Sequence, residues 1–436
     1  MKMRDTLTIT KNGHLTIGGC DAAELVKEFG TPLYAMDEAY LMHTATRMRH
    51  ALTEKYPNSL VCYASKAFSC TAIYQMFSLL GLGADVASGG ELYTAVKAGM
   101  DPARLYFHGN NKLSKELTAA LDANVHAVVI DSLYEIQLLN ELCGARHQRQ
   151  GVLIRVNPGI DAHTHHFIQT ARVDSKFGFS IADGAALTAV KEILKQPNLE
   201  FLGIHCHIGS QIFEVMPFTL AVDKMTDFMV VLSKACGVEV RELNMGGGYG
   251  VTYTQEDKPL EPEDYIGAIA DKLTACIAQK ALNTPKLIIE PGRSLVGEAG
   301  ITLYSIGAIK EIEGIKKYIS VDGGMFENPR CALYDAKYEA VLALRALESG
   351  TETVTVAGKC CESGDILAKD ILLPRAKSGE ILAIFTTGAY HYSMASNYNR
   401  NVVPPVVLCK NGKARYMIKP QSYADIVSRD VKYKLD

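Results

Sequence analysis

The sequence contains no long apolar run, no concentrated charge and no cysteine framework. No stretch approaches the roughly 18 consecutive apolar residues of a membrane-spanning helix. The charged start of the chain has no apolar core of the kind that secretory signals need. The formal net charge is −3, without a long block of like charges, so neither nucleic acid nor a membrane surface is an expected partner. We therefore expect a cytoplasmic protein.

Eleven cysteines are scattered along the chain without a C-x-x-C pair. In an intracellular protein this pattern is typical of free thiols. Cys360 and Cys361 are adjacent, and a structural bridge between neighbours is strained, so one of them could have a chemical role. The 436 residues, 48% hydrophobic and 21% charged, have the balance of a globular protein of two domains or of one large barrel with an appendage.

Short, nearly continuous apolar runs recur through the first two thirds of the chain, as in parallel strands that are buried on both faces. The eight runs are SLVCYAS (59–65), GADVAS (83–88), RLYFHG (104–109), HAVVID (126–131), GVLIRVNP (151–158), FLGIHCHIG (201–209), VRELNMGGG (240–248) and KLIIEPG (286–292). Helical patterns separate them, for example at 69–81, 89–99, 133–144, 184–196 and 265–282. This alternation predicts an α/β fold with a (β/α)8 barrel, and a doubly wound open sheet is the alternative.

The tail has a different pattern of short strands and turns, which is typical of a β-barrel or sandwich. These strands are predicted within 299–312, 316–324, 352–360, 380–390 and 405–418. The start of the chain, 5–19, is also β-like and contains the turn signal KNGH. We therefore expect a barrel domain over 37–298 and a β domain formed by 1–36 and 299–436.

Barrel enzymes place catalytic residues at the carboxyl ends of their strands, and polar side chains occupy these positions here. They are Lys66, Asp85, Ser88, His108, Asn110, Arg155, Asn157, His205, His207, Ser210, Gly246, Gly247, Gly248, Glu290 and Arg293. Lys66 follows a buried strand, and burial would lower its pKa and suit it to forming a Schiff base. The alternative is a lysine whose ammonium group reaches water.

Two glycine- or histidine-rich motifs leave alternatives open. MGGGYG (245–250) follows a strand and could bind phosphate through backbone N–H groups, or could form a plain tight turn. His205 and His207, which we expect on one strand face, could ligate a metal, although a packing or stacking role is simpler. The histidines of DAHTHHF (161–167) could likewise bind a metal or lie in a hydrated loop.

Two acidic motifs complete the set of candidates. In EPGR (290–293), Glu290 could keep a ring nitrogen protonated and Arg293 could bind a carboxylate or phosphate, or the two could form a surface ion pair. In CCESGD (360–365), a cysteine beside an acidic residue could be an acid or base, although a buried structural thiol is the commoner case.

Taken together in collinear order, these motifs resemble the bacterial diaminopimelate decarboxylases, which have the alanine-racemase-like fold of pyridoxal-phosphate enzymes. The resemblance extends from about residue 10 to about residue 430. It rests on YASKA (63–67), RVNPGIDAHTHHFIQT (155–170), DSKFGF (174–179), HCHIGSQI (205–212), GGGYG (246–250), EPGRSLV (290–296), NPRCALYDA (328–336), CESGDILAKDILLP (361–374) and GAYHYSMASNYN (388–399).

The resemblance implies a role for each matching residue. Lys66 resembles the lysine that holds the cofactor, His207 the histidine stacked on its ring, Glu290 the partner of its ring nitrogen, and Cys361 the proton donor. Further cofactor contacts are implied for Asp85, Ser210, Gly247, Gly248, Gly292, Arg293 and Tyr390. Substrate contacts are implied for Arg293, Arg330, Tyr334, Glu362 and Tyr390, and no metal ligand is expected.

The family's reaction implies pyridoxal phosphate, meso-diaminopimelate and a homodimer in which the CESGD segment reaches the neighbour's barrel. The distal carboxylate and ammonium of this substrate suit an arginine and an acid such as Arg330 and Glu362. The alternatives are a related ornithine, arginine or carboxynorspermidine decarboxylase, a racemase of the same fold, a pyridoxal-phosphate carrier without turnover, and a metal hydrolase.

Overall fold

The computed structural model describes residues 6–160 and 175–433. The chain divides into two compact units. One comprises residues 42–251 and 258–295, and the other comprises the residues up to 41, residues 252–257 and the residues from 296 onward. The domain boundaries that we placed at 37 and 298 stay a prediction.

The first unit contains a closed barrel of eight parallel strands. In chain order they are β1 (Ser59–Ala64), β2 (Gly83–Val86), β3 (Leu105–Phe107), β4 (Ala127–Ile130), β5 (Gln150–Asn157), β6 (Leu199–His205), β7 (Glu242–Asn244) and β8 (Lys286–Ile289). Each strand pairs with the next, and β8 pairs with β1, so the eight strands form a closed sheet. The short strand Phe179–Ser180 also pairs in parallel with β5. The predicted barrel is therefore confirmed.

Helices follow the strands, and all five helical patterns named from the sequence are found within a few residues. Within the described ranges the helices are Ala22–Phe29, Glu38–Lys55, Thr71–Leu79, Gly89–Lys97, Ser114–Asp122, Leu133–Ala145, Ala185–Leu194, Met216–Cys236, Pro262–Lys280, Arg293–Val296, Arg330–Tyr334 and Tyr423–Val427. Short 3₁₀ turns lie at Ser65–Ala67, Pro102–Arg104, Tyr392–Met394 and Tyr398–Arg400. Among the described residues, no helix is both long and apolar enough to cross a membrane.

The barrel interior is filled by an apolar cluster around Tyr106. Its other buried members are Cys62, Ala127, Val129, Leu153, Leu202 and Ile288. At the amino ends of the strands, Tyr106 donates to Oε2 of Glu242 (3.0 Å), and Oε1 of Glu242 lies 2.7 Å from Nε2 of His126. The core therefore separates this polar network from the residues at the carboxyl ends.

The second unit is built on a β-sheet to which both chain ends contribute. Neighbouring strands in this sheet are Ile366–Leu373, Glu352–Ala357, Lys316–Val321, Gly300–Ile312, Leu33–Asp37, Val406–Lys410 and Lys413–Ile418, and Ile381–Phe385 joins Gly300–Ile312 to Ala340–Leu342. Leu33–Asp37 pairs antiparallel with Gly300–Ile312 and parallel with Val406–Lys410. The predicted β domain joined by the N-terminal segment is therefore confirmed.

The start of the chain forms a separate small sheet of three strands, Thr8–Ile9, Leu15–Ile17 and Cys20–Asp21. Thr8 pairs with Thr16 across the KNGH turn, in which Gly13 has a φ of 85°. The predicted turn is therefore correct. All eleven cysteines are free thiols in the structure, also as expected.

Candidate active site

The carboxyl ends of the barrel strands bring together a buried polar cluster around Glu290, which follows β8. Oε1 of Glu290 lies 2.8 Å from Nε2 of His108, and the amide of Asn244 donates to the same oxygen (2.6 Å). Oε2 lies 3.2 Å from Nε2 of His205. Asp85 lies beside this group, with Oδ1 3.9 Å from Nε2 of His108. Residues from β2, β6 and β7 and from the turn after β3 thus lie around one carboxylate.

Burial and charge oppose each other in this cluster. Burial favours the neutral acid, but His108 and His205 hold the pKa of Glu290 well below its usual range. Burial also lowers the pKa of His108, but Asp85 and Glu290 outweigh it and leave that pKa raised. Burial lowers the pKa of His205 to about 4. Glu290 is therefore an anion between a neutral His205 and His108, whose protonated form the two carboxylates favour.

Asp85 differs from Glu290 although both carboxylates are buried. Burial raises the pKa of Asp85, and Glu290 adds to this effect, while His108 and Lys66 oppose it. Two carboxylates near one another thus have shifted pKa values of opposite direction. This separation is typical of functional sites.

The glycine loop after β7 approaches neighbouring backbone too closely for any side chain. A Cβ at Gly247 would lie 2.0 Å from the carbonyl oxygen of Glu290, and Gly248 has a φ of +116°. Close by, a terminal nitrogen of Arg293 donates to Oγ of Ser210 (3.1 Å). A glycine loop, a hydroxyl and a guanidinium form a donor set that suits a phosphate group.

His207 and His205 do not act as a pair. His205 contacts Glu290, whereas Nδ1 of His207 accepts from the N–H of Gly247 (3.4 Å). The expectation that both rings share one strand face is wrong, because β6 ends at His205 and the backbone changes direction beyond it. Burial lowers the pKa of His207 well below its ordinary value, so its ring is neutral.

A different triad has the spacing of metal ligands among the described residues. His108, His205 and Glu290 each place one ligand atom within 4.8 Å of the others. The carboxylate oxygens already contact both imidazoles and Asn244, which explains the triad without an ion. The histidine loop at 161–167 lies outside the described residues.

The sequence led us to expect a buried Lys66, but the structure shows this lysine exposed. It lies in the 3₁₀ turn Ser65–Ala67 directly after β1, and its side chain is exposed. Its positive charge nevertheless acts to lower the pKa values of Asp85, Glu91 and His207. The end of β1 is fixed to the turn that contains Gly292, since the N–H of Ala64 donates to the carbonyl of Pro291 (3.1 Å).

In the β unit, Arg330 lies among tyrosines. Its guanidinium lies 5.5 Å from the ring centroids of Tyr334 and Tyr390 and 5.7 Å from that of Tyr253. Its Nε donates to the hydroxyl of Tyr338 (3.0 Å). Tyr390 has a left-handed backbone, with a φ of 61°. The tyrosines hold the guanidinium in place and leave its terminal nitrogens for an anion.

Cys361 and Glu362 are both exposed on a loop that Asp365 organises. The buried carboxylate of Asp365 accepts from the N–H groups of Cys360 and Met325, both at 2.6 Å. The N–H of Cys361 donates to the side-chain oxygen of Asn399 (2.9 Å). The neighbouring thiol of Cys360 is buried, so Cys361 is the thiol of this pair that solvent reaches.

Residues 42–297 match the family model described as pyridoxal-dependent decarboxylase, pyridoxal binding domain. The chain is 45% identical over 434 residues to the diaminopimelate decarboxylase of Bacillus subtilis (strain 168), covering 100% of this chain and 99% of that protein. The chain belongs to the diaminopimelate decarboxylase family. The family member of Staphylococcus aureus (strain COL) is 45% identical over 428 residues, covering 98% of this chain and all of that protein.

Solved structures of diaminopimelate decarboxylases agree with this assignment. The enzyme from M. jannaschii in complex with L-lysine is 35% identical, with a TM-score of 0.92 and coverage of 99% of both chains. The Helicobacter pylori enzyme in complex with L-lysine is 31% identical, with a TM-score of 0.84 and coverage of 93% of this chain and 98% of that chain.

Several residues of the site had no assigned role from the sequence alone. His108 and His205 stood among the polar strand ends, but nothing in the sequence indicated that both contact Glu290. Asn244 at the end of β7 and Asp365 in the CESGD segment were missed as well. The available signal for Asn244 was its position at the end of a strand, directly before the glycine loop.

Proposed function

We propose that this protein is a pyridoxal-phosphate-dependent carboxy-lyase that converts meso-2,6-diaminopimelate to L-lysine and CO2, the last step of lysine biosynthesis. Full-length identity of 45% to relatives named for this activity supports the substrate. The observation that carries this proposal is the buried carboxylate of Glu290, held anionic between His108 and His205. A carboxylate in this state can keep the ring nitrogen of a bound cofactor protonated.

The residues present fit pyridoxal phosphate. Ser210, Arg293 and the loop at Gly247 and Gly248 would hold its phosphate, and Glu290 would face its ring nitrogen. Lys66 would bind it covalently, and the neutral ring of His207 would lie against it. When bound, this cofactor withdraws electrons from the substrate's reacting carbon. The proposed cofactor contacts also include Asp85, whose pKa the charge of Lys66 helps to lower. Gly292 and Tyr390 complete the set.

The remaining chemistry is a proton transfer. Loss of CO2 leaves negative charge on the reacting carbon, and a positioned acid must protonate it from one side. We assign this step to the thiol of Cys361, which is exposed and is held by the contact of its N–H with Asn399. Asp365 fixes the same loop from within the β unit.

The distal end of the substrate has a carboxylate and an ammonium group. The terminal nitrogens of Arg330 suit the carboxylate, because Tyr338 already occupies Nε. Glu362 suits the ammonium group, and Arg293, Tyr334 and Tyr390 complete the proposed substrate contacts. A purely basic substrate would need no arginine at this end.

We also propose a cytoplasmic homodimer with the active site at the subunit interface. The exposed positions of Cys361, Glu362 and Tyr334 support this arrangement, since catalytic groups seldom work without a covering surface. Eleven free thiols support a reducing compartment. Activity that persists on dilution in a demonstrated monomer would contradict the dimer.

A parallel substrate panel tests the reaction. Equal amounts of protein loaded with pyridoxal phosphate are incubated with meso-diaminopimelate, ornithine, arginine and carboxynorspermidine, and CO2 and amine products are measured. We expect turnover of meso-diaminopimelate to exceed the others. Preferred turnover of a basic amino acid or of carboxynorspermidine would keep the decarboxylase fold and replace the substrate.

A further inference from the structure

Lys112 and Glu135 form a buried ion pair at the carboxyl ends of β3 and β4, and the proposed reaction does not use either residue. Their side chains are each 2% exposed, and Nζ lies 2.7 Å from Oε1. Lysine and glutamate are seldom buried this completely. Removing two charges from water also costs more free energy than such a pair commonly returns, so stability alone is a weak explanation.

The ammonium group of Lys112 links two strand ends. Besides contacting Glu135, Nζ donates to the carbonyl oxygens of Gly109 (2.6 Å) and Val129 (2.7 Å). Two carbonyl oxygens and a carboxylate oxygen thus lie around the ammonium group. Gly109, with a φ of +127°, lets the turn fold closely over the lysine, because a Cβ there would lie 3.3 Å from Cγ of Lys112.

The turn held by Lys112 begins at His108. The N–H of His108 donates to the carbonyl of Val86 in β2 (2.8 Å), and the next residue, Gly109, accepts from Lys112. The backbone is therefore fixed on both sides of the imidazole that lies 2.8 Å from Glu290. Without the contact to Lys112, the turn would be anchored on one side only.

Glu135 links the pair to a third element. Its Oε2 accepts from the N–H of Asp131 (3.1 Å), and the carboxylate of Asp131 accepts from the N–H of Gly178. Gly178 lies against the backbone of Arg155, whose charge acts on both His108 and His205. The ion pair is therefore connected to the surroundings of Glu290 in two ways. Lys112 contacts the turn that carries His108, and Glu135 is linked through Asp131 to the backbone beside Arg155.

We propose that Lys112 and Glu135 are positioning residues for the reaction, which hold His108 against Glu290 through the turn at Gly109. This inference rests on the proposed function. Neither residue contacts the reacting atoms. Their effect is on the carboxylate that would face the ring nitrogen of the cofactor.

The test compares a double variant with a matched control. Lys112→Met with Glu135→Gln removes both charges at once, which avoids leaving one buried charge alone. Glu242→Gln is the control, because Glu242 is equally part of a buried network in the same barrel but lies at the amino ends of the strands. Each protein is loaded with pyridoxal phosphate and measured below its unfolding temperature.

For the double variant we expect kcat to fall by at least about tenfold with little change in KM, since small displacements of a preorganised group have effects of this size. We also expect a changed visible absorption band or weaker binding of pyridoxal phosphate. The control should keep the parent's kcat and absorption band. A double variant with the parent's kcat and band would overturn the proposal, and so would losses no larger than those of the control.

Two further measurements keep the result decisive. If the double variant does not fold, Lys112→Gln with Glu135→Gln is judged by the same criteria, because it also removes both charges and the glutamine at position 135 would still accept from the N–H of Asp131. If the parent makes no lysine, the proposed function fails. The absorption band and the affinity for pyridoxal phosphate then still decide whether the pair positions the site.

Discussion

The imidazole of His108 lies 2.8 Å from the carboxylate of Glu290, and both residues are 5% exposed. They come from distant parts of the sequence, since His108 follows β3 and Glu290 follows β8, and two strands lie between these in the barrel. The contact keeps a negative charge where burial alone would neutralise it. The chemistry that we propose depends on this charge.

Replacing Glu290 with glutamine should therefore slow turnover strongly. Glutamine fits the same space and can still accept from Asn244, but it cannot carry the charge. We expect kcat to fall by roughly two to three orders of magnitude, as for other preorganised electrostatic groups. Steady-state kinetics on the loaded protein measures this. Turnover within a few-fold of the parent would mean that the carboxylate does not assist the reaction.

Lys66→Ala should abolish the visible absorption of bound pyridoxal phosphate after free cofactor is removed by gel filtration. The reason is that Lys66 is the amine at the end of β1 whose charge acts on Asp85 and His207. Lys97→Ala is the control, since Lys97 is an exposed helical lysine whose ammonium lies over Tyr93. A normal spectrum in Lys66→Ala would refute the assignment.

Cys361→Ala should slow turnover while the cofactor remains bound. Loss of a general acid costs about two to four orders of magnitude, although water can replace part of this. The measurement is kcat together with the absorption band of the bound cofactor. Cys236→Ala, in a helix of the barrel unit, is the control. The proton-donor role is wrong if both variants turn over at the parent's rate.

The network at the amino ends of the strands predicts a pH dependence of stability. Burial raises the pKa of Glu242, but contacts with His126, Lys286 and Tyr106 outweigh it and leave the pKa below its ordinary value of 4.5. A lowered folded-state pKa adds stability that is present above the unfolded value and is lost as the pH falls through the folded value.

Glu242→Gln should accordingly be less stable than the parent near pH 7, by about 1 to 3 kcal/mol for buried hydrogen bonds to a charged group. The difference should shrink as the pH falls below about 4, near the ordinary pKa of glutamate. Urea unfolding of both proteins at several pH values measures it. If the difference in the free energy of unfolding stays constant down to pH 3, the charge of Glu242 contributes nothing to stability.

The barrel could be predicted from the sequence because each of its strands is a short apolar run that ends in polar residues. The same logic placed Asp85, His205 and Glu290 at one rim. It could not show which of them touch, since the contacts to Glu290 join residues that are 46 or more positions apart in the chain. The pairing of His108 with Glu290 depends on barrel closure, and no local pattern encodes it.

Local geometry explains the two corrections. Lys66 follows a buried strand, but it lies in a 3₁₀ turn that begins at Ser65, and its side chain is exposed. His207 was assigned to the face of His205 because residues two apart share a face of a strand, yet β6 ends at His205. The strand Ile366–Leu373 was not predicted, because Lys369 and Asp370 interrupt its apolar pattern.

The most direct test of the central claim is the release of CO2 from meso-diaminopimelate, followed together with L-lysine, with and without added pyridoxal phosphate. The account predicts equal amounts of CO2 and L-lysine that depend on the cofactor. A protein that binds pyridoxal phosphate but forms no L-lysine from this substrate would contradict it.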